Sequence, residues 1–222
     1  MKRLFALLLA LTLALSLAAC GDSTPPSPAP DDALADEPAA LHLDVLNIEF
    51  VVGDRSAAEL MALQKELPPL LIAALADEGC TVEQVSITFG ASADATAQAL
   101  QSGAVDIAFL PSEAYVLSDA SLRLIALEYA FVPAGEYFPD VDFSEVSGID
   151  ADSPIYENVV VCSHDTPDTL IAAFKRALVR LCADVDGSAA MQRYGRASYL
   201  VSGDLGGLLD PLKACLTLAV QE

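Results

Sequence analysis

Apolar and polar positions along the chain alternate between the period of a strand and that of a helix. Residues 43–52 are rich in β-branched and aromatic types and stop at Gly53, as strands do. The next segment opens on Ser56 with Glu59 three positions on, the spacing of a capping box, and its leucines then recur at helical intervals. We expect Pro68-Pro69 to kink or split this helix, because proline lacks the amide hydrogen that a helix needs.

The same alternation continues towards the C-terminus. The pattern predicts strands over 81–90, 104–111, 121–133 and 155–163, helices over 92–103, 112–119 and 166–183, and two shorter helical pieces after them. Residues 104–111 are almost continuously apolar, which is typical of a strand buried on both faces of a parallel sheet. Strands that alternate with helices predict an α/β fold, here a three-layer αβα lobe with a mainly parallel sheet.

The first 20 residues have the order of an export signal. A basic start precedes an apolar run over 4–17 and then small residues. That run is too short for a transmembrane helix, which takes about 20 residues. The ending LAAC, at 17–20, resembles the bacterial lipobox, so we expect a lipid on Cys20 that anchors the protein to the membrane. An ordinary signal with an incidental cysteine is the alternative.

Residues 21–40 are rich in proline, serine and acidic types, and they predict a disordered spacer ahead of one folded domain over 41–222. The whole chain has 11 basic and 32 acidic residues, and removal of Lys2 and Arg3 with the signal would leave nine basic ones and a net charge of −23. This charge disfavours nucleic acid and anionic lipid as partners.

Cysteine usage predicts neither a metal site nor an active site. The cysteines after the signal are Cys80, Cys162, Cys182 and Cys215. Their spacing fits no zinc motif, so we expect no metal and no cofactor. One or two disulfides are possible after export, and buried free thiols are the alternative. Cys162-Ser163-His164-Asp165 contains catalytic residue types, but neighbours on a strand point in different directions, so we expect no enzyme activity.

Ligands of an α/β sheet bind beyond the carboxyl ends of its strands. That rule selects residues 53–55, 90–92 and 111–115, which contain Asp54, Ser92, Ser112 and Tyr115. Both serines begin predicted helices, whose unpaired backbone N–H groups favour anions. Simple capping of the helix by each serine is the alternative.

Spaced residues in this region carry a family resemblance. They are Ala99-Leu100, Ser102-Gly103, Val105-Asp106-Ile107-Ala108, Pro111 and Ala114-Tyr115. With LNIEFVVGDRSAAELMALQKEL before them, they resemble the first lobe of substrate-binding proteins of phosphate/phosphonate-type ABC transporters, a type II periplasmic-binding-protein lobe. The segment VVVCSHDTPDTLIAAFKRALVRLCAD resembles the part that returns from the second lobe. The resemblance covers 43–133 and 156–215, and it implies that Tyr115 contacts the ligand.

The chain departs from this family pattern in its middle. A second lobe should hold on the order of 100 residues. Only 134–154 lies between the two matched segments, so we expect most of that lobe to be absent. No equivalent is found for the family's serine/threonine-rich helix start. Ala93 lies near the place of a second cleft tyrosine, and Val52-Gly53 replaces a proline.

Together these features predict a lipid-anchored, extracytoplasmic solute-binding component of an ABC uptake system, with a small phosphate- or phosphonate-like anion as ligand and the permease as partner. The predicted ligand contacts are Tyr115, Ser112, Ser92 and Asp54. The alternative is a non-transporting surface lipoprotein, a sensor or protein-interaction module whose contact surface is the acidic, aromatic stretch 137–143. An ordinary packed connection is the other interpretation of that stretch.

Overall fold

A six-stranded sheet forms the middle layer of the protein in the computed structural model, which describes residues 41–53, 55–118, 121–195 and 198–219. The strands in chain order are β1 (Leu41–Val51), β2 (Cys80–Gly90), β3 (Ile107–Pro111), β4 (Leu122–Glu128), β5 (Phe131–Pro133), β6 (Pro154–Tyr156), β7 (Asn158–Ser163) and β8 (Tyr199–Leu200). Strands β5 and β6 pair only with each other, in a separate two-stranded sheet.

The strand order in the large sheet is β2-β1-β3-β7-β4-β8. Strand β1 pairs in parallel with β2 and β3, whereas β7 runs antiparallel between β3 and β4, and β8 is antiparallel to β4. Strands β1 to β4 therefore share one direction, and β7 and β8 run the other way. The prediction of a mainly parallel sheet is confirmed.

Helices cover both faces of this sheet. They are α1 (Ala57–Asp77), α2 (Ala93–Gln101), α3 (Ser112–Leu117), α4 (Ala134–Tyr137), α5 (Asp168–Ala183), α6 (Val185–Gln192) and α7 (Asp210–Ala219). Successive strand residues alternate between two cores, so that Ile107 packs with α1, α5 and α6, and Ala108 packs with α2 and α7. The predicted three-layer architecture is confirmed. None of the described helices combines the length and apolarity needed to cross a bilayer.

Helix α1 begins as predicted but is not interrupted. Ser56 Oγ accepts from Glu59 N–H at 3.3 Å, and the Glu59 carboxylate accepts from Ser56 N–H at 2.9 Å. Of the two outcomes predicted at Pro68-Pro69, a kink or a split, the split does not occur, since one helix runs through both prolines. Leu67 and Leu71 on either side of the pair are buried in the core, and this packing compensates for the missing backbone hydrogen bonds.

The chain leaves the sheet after β4 and returns through a small hairpin-like unit. The predicted strand over 121–133 stops at Glu128, and the one over 155–163 is broken at Glu157. Between them, β5 and β6 pair from Phe131 opposite Tyr156 to Pro133 opposite Pro154. Residues 134–153 contain α4 and a 3₁₀ turn (Phe143–Glu145), so the predicted connection has some regular secondary structure. Pairing of β5 with β6 joins its two ends.

The C-terminal part contains the two predicted helical pieces, α6 and α7, and two elements that were not predicted. These are β8 and a 3₁₀ turn over Gly207–Leu209. A strand of two residues is too short to have a period of its own, so only its pairing with β4 defines it.

The four cysteines of the domain are free thiols. Of the two alternatives, disulfides and free thiols, the structure therefore has the second. Burial raises the pKa of the Cys80, Cys162 and Cys215 thiols, and it raises that of Cys182 to about 11. Because the thiolate is the reactive form, these groups are poor nucleophiles at neutral pH. The signal over 1–20, the lipid site Cys20 and the spacer over 21–40 lie outside the described residues.

Candidate functional site

The carboxyl ends of β1, β2 and β3 meet at one end of the sheet, which we call the carboxyl edge. Val51 at the end of β1 lies beside Gly90 of β2, and Phe50 lies beside Phe109 of β3. Strand β1 has β2 on one side and β3 on the other, so the direction of strand order reverses here. This is the position at which open α/β sheets bind their ligands.

Ser112 is the most unusual polar residue at this edge. Its side chain is 1% exposed, and its Oγ has no hydrogen-bond partner among the described residues. Its backbone N–H donates to Glu157 O at 2.8 Å. Pro111 occupies the N-cap position of α3 and no side chain caps that helix, so the alternative in which Ser112 is a simple cap is wrong. Because buried hydroxyls are normally paired, this one has capacity for an additional partner.

The other predicted site residues differ in their surroundings. Tyr115, one turn further along α3, is half-buried and packs against the apolar core on that face of the sheet. Ser92 is exposed at the start of α2, where its Oγ accepts from Ala95 N–H at 3.2 Å, so it caps the helix. Asp54 lies outside the described residues. Ser112 and Tyr115 thus share one helix beyond β3, and Ser92 follows β2.

Arg55 supplies a cation where strand order reverses. Its guanidinium carbon lies 4.0 Å from the centre of the Tyr194 ring, and its Nε donates to Tyr194 O. Within the described residues these are its only ring contact and side-chain hydrogen bond. A guanidinium has five N–H donors in a planar fork that matches the oxygens of phosphate and carboxylate groups.

Tyr194 joins β1 to β3 beneath this arginine. Its hydroxyl lies 3.3 Å from both Val51 O and Phe109 O. The ring packs edge-on against Phe50 at 4.5 Å between centroids. Burial raises the pKa of Tyr194 to about 12, so the hydroxyl stays protonated and donates to these carbonyls. The loop after α6 therefore covers the ends of the two strands.

A buried carboxylate lies on the other side of the carboxyl edge. Glu128 at the end of β4 is 3% exposed and accepts from Asn158 Nδ2 at 2.6 Å. A Cβ on Gly195 would lie 2.7 Å from Glu128 Oε1, so a larger residue there would displace the carboxylate. Burial raises the pKa of Tyr199 well above its ordinary value, and the nearby Glu128 adds to the shift. The edge thus has a cation on the β1 side and a carboxylate on the β4 side.

A third polar group packs between β1 and β2. Thr96 Oγ1 is buried and donates to Glu49 Oε1 at 2.6 Å, and Thr88 Oγ1 lies 3.1 Å from Glu49 Oε2. A Cβ on Gly90 would lie 2.1 Å from Thr96 Oγ1. Since that position is occupied, Gly90 lets α2 approach the end of the sheet.

Comparison with known proteins assigns the chain to a family. A sequence model described as "ABC transporter, phosphonate, periplasmic substrate-binding protein" matches residues 70–204. The chain belongs to this family. Members of the phosphonate-binding family are extracytoplasmic components of ABC transporters that work with permease subunits and bind small anions. The resemblance expected from Ala99 to Tyr115 is therefore confirmed.

Solved structures share the fold of this phosphonate-binding family member at low sequence identity. XAC2383 from Xanthomonas citri, bound to chloride, has a TM-score of 0.57 and 11% identity, over 80% of this chain and 99% of that one. A binding-protein component of an ABC phosphonate transporter from Pseudomonas aeruginosa has a TM-score of 0.57 and 11% identity, over 80% of this chain and 87% of that one. PhnD1 from Prochlorococcus marinus, in complex with methylphosphonate, has a TM-score of 0.52 and 7% identity, over 81% of this chain and 99% of that one. A comparison with curated proteins finds no match.

Several residues of the carboxyl edge were missed by the sequence analysis. Arg55 lies in the selected segment 53–55, and the need for a cation could have identified it. Tyr194 follows a helix with no strand pattern around it, and Glu128 lies in an apolar strand whose single carboxylate gave no sign of burial. Their roles come from contacts with residues at least 30 positions away.

Proposed function

We propose that this protein is a lipid-anchored, extracytoplasmic solute-binding component of an ABC uptake system, with a phosphate- or phosphonate-like anion as its ligand. The family match over residues 70–204 carries the proposal. The P. marinus relative in complex with methylphosphonate supports the ligand class. In this proposal the protein captures and delivers a solute to a permease and catalyses no reaction.

The ligand site that we propose is the carboxyl edge, with contacts from Ser112, Tyr115, Ser92 and Asp54. Ser112 has the strongest support, because its buried hydroxyl has no partner among the described residues. To these four we add Arg55, whose guanidinium stacks on Tyr194, the residue that bonds to β1 and β3. Its charge offsets the repulsion between an anionic ligand and a chain of formal net charge −21.

We further propose that the lobe is reduced, with 134–154 in place of most of a second lobe. Pairing of β5 with β6 supports this, because it brings the two ends of the segment together. Tyr137 packs on Phe138 with ring centroids 4.9 Å apart, and its hydroxyl lies 3.5 Å from Glu113 of α3. These contacts favour a packed connection over an exposed contact surface, and so they disfavour the sensor or interaction-module alternative. A partner protein would then close the ligand site.

Calorimetry tests the ligand proposal. The purified chain is titrated with methylphosphonate, phosphate and sulfate, and we expect heat with at least one of the first two. Arg55→Ala should weaken binding more than tenfold, since a charged hydrogen bond contributes about 1.5–3 kcal/mol. Arg123→Ala is the matched control, because Arg123 pairs with Asp168 at the other end of β4. The absence of heat with every anion would refute the ligand proposal.

Fractionation tests the anchor separately. We expect the wild-type chain in the membrane fraction, with lipid on the N-terminal peptide detected by mass spectrometry. Cys20→Ala should lack that lipid. A wild-type N-terminal peptide without lipid would refute the anchor and leave the solute-binding proposal intact.

A further inference from the structure

The far end of the sheet from the carboxyl edge carries a group of potential metal ligands: His42 and Asp44 on β1 and Glu83 on β2. His42 and Asp44 are two positions apart, so they face the same side of the strand. Leu43 pairs with Val82 and Val45 with Gln84, which places Asp44 beside Glu83. The three side chains are therefore brought together by the register of two paired strands.

The distances within this group suit a small cation. His42 Nε2 lies 3.5 Å from Glu83 Oε1 and 3.8 Å from Asp44 Oδ1, and all three ligand atoms lie within 4.8 Å of one another. A tetrahedral zinc ion with bonds of about 2.0–2.1 Å places its ligands about 3.3 Å apart. Side-chain rotations that move a ligand atom by at most about 1.5 Å would bring all three atoms to this spacing, and exposed side chains permit them.

The electrostatics of the group also favour a cation. Two carboxylates on directly neighbouring strand positions repel each other. Among the described residues the imidazole of His42 is the only basic group within 4.0 Å of either carboxylate. The side chains of His42, Asp44 and Glu83 are 54%, 88% and 66% exposed, so water can complete the coordination. One imidazole nitrogen with two carboxylate oxygens is a donor set suited to zinc and similar divalent ions.

We propose that His42, Asp44 and Glu83 bind one divalent cation of the zinc class. The ion joins the beginning of β1 to the beginning of β2, at the end of the sheet opposite the proposed solute site. Bound to the folded chain only, it stabilises that state by mass action. The site does not depend on the proposed solute-binding function.

Titration of the full chain in detergent micelles, after removal of metal by a chelator, tests the site. We expect one zinc ion per chain and a higher melting temperature in zinc chloride. His42→Ala should weaken zinc binding by about tenfold or more, because even loss of a group that supports a metal ligand costs 10–100-fold. Glu83→Gln removes a second ligand and should weaken binding similarly. Both positions are exposed, so both variants should fold, which circular dichroism checks.

The matched control is His164→Ala, which removes the other histidine of the chain. His164 lies 3.7 Å from a single carboxylate, Asp165, and should contribute nothing to zinc affinity. Equal zinc affinity in wild type and His42→Ala would overturn the proposal, as would absence of zinc binding by the wild-type chain. Loss of zinc binding in His164→Ala alone would overturn it as well.

Discussion

At the carboxyl edge Tyr194 and Glu128 are almost fully buried. At the opposite end of the sheet, where β1, β2 and β4 begin and which we call the amino edge, His42 and Asp168 are exposed. The polar atoms of the first pair bond to strand carbonyls and to Asn158, and so they position the ends of β1, β3 and β4. The side chains of the second pair lie at the surface, His42 beside Asp44 and Glu83, and Asp168 beside Arg123. The difference teaches that buried polar residues can fix the strand ends at one edge of a sheet, while exposed polar residues at the other edge remain available to ions in solution.

The amino edge also contains a cavity. A cavity of about 360 Å³ opens at the amino edge, beside Asp106 and Thr166. Asp106 is already used there, since it accepts from Asn47 N–H at 2.7 Å. At the carboxyl edge Tyr194 and Arg55 instead cover the strand ends. Substitutions at the two edges should therefore change the free energy of unfolding by different amounts.

The largest effect is expected at Tyr194. Tyr194→Ala removes a buried ring that packs on Phe50 and Phe109, and should lower the free energy of unfolding by about 3–5 kcal/mol. Tyr194→Phe keeps the ring, loses the hydroxyl and should cost about 1 kcal/mol. Urea unfolding followed by circular dichroism measures both values. Equal losses in the two variants would show that the ring contributes little.

A smaller loss of stability is expected from a substitution at Gly90, on the same edge. A methyl group there collides with Thr96 Oγ1 and the Glu49 carboxylate, so Gly90→Ala should cost about 1–3 kcal/mol. Gly206→Ala is the control, because Gly206 has helical φ and ψ and its nearest neighbour would lie 3.7 Å away. The control should be neutral or slightly stabilising. If both variants unfold at one urea concentration, the close approach of α2 is not required.

At the amino edge we expect a still smaller effect from an ion pair. Arg123 pairs with Asp168, whose side chain is 87% exposed. Asp168→Asn should lower the free energy of unfolding by about 0.2–1 kcal/mol, and less in high salt, because water and ions screen the pair. Asp140→Asn changes an exposed carboxylate as a control. A loss comparable with that of Tyr194→Ala would contradict the contrast between the edges.

Glu78, in the turn between α1 and β2, makes the amino edge sensitive to pH. A hydrogen bond from Arg176, with a second from Arg180, holds the pKa of Glu78 below its ordinary value. A lowered pKa in the folded state gives stability that is present above the unfolded pKa of about 4.3 and is lost as the pH falls through the folded value.

Glu78→Gln should therefore reduce stability at pH 7, and its difference from wild type should shrink below about pH 4.3. Urea unfolding at a series of pH values measures this difference. Glu136→Gln, at an exposed carboxylate of α4, should show no such change. A difference that is constant from pH 7 to acid would exclude Glu78 as the titrating group.

The sequence by itself determined the layers, the direction of most strands and the family. Local signals were sufficient for these features: the capping box at Ser56, the apolar run over 104–111 and the spaced residues ending in Tyr115. Such signals lie within one element, so periodicity and turn chemistry identify them without knowledge of the fold. Four site residues could be named because ligands of an α/β sheet bind beyond the carboxyl ends of its strands. Their role as ligand contacts stays a prediction.

Only the tertiary structure decided how distant segments meet. The continuity of α1 through Pro68-Pro69 depends on core packing, and the separation of β5 from β4 depends on its pairing with β6. Tyr194 acquired its role from carbonyls 143 and 85 positions away, and Glu83 meets His42 only through the register of β1 with β2. No local period encodes these contacts, because each arises from the register and burial that folding sets.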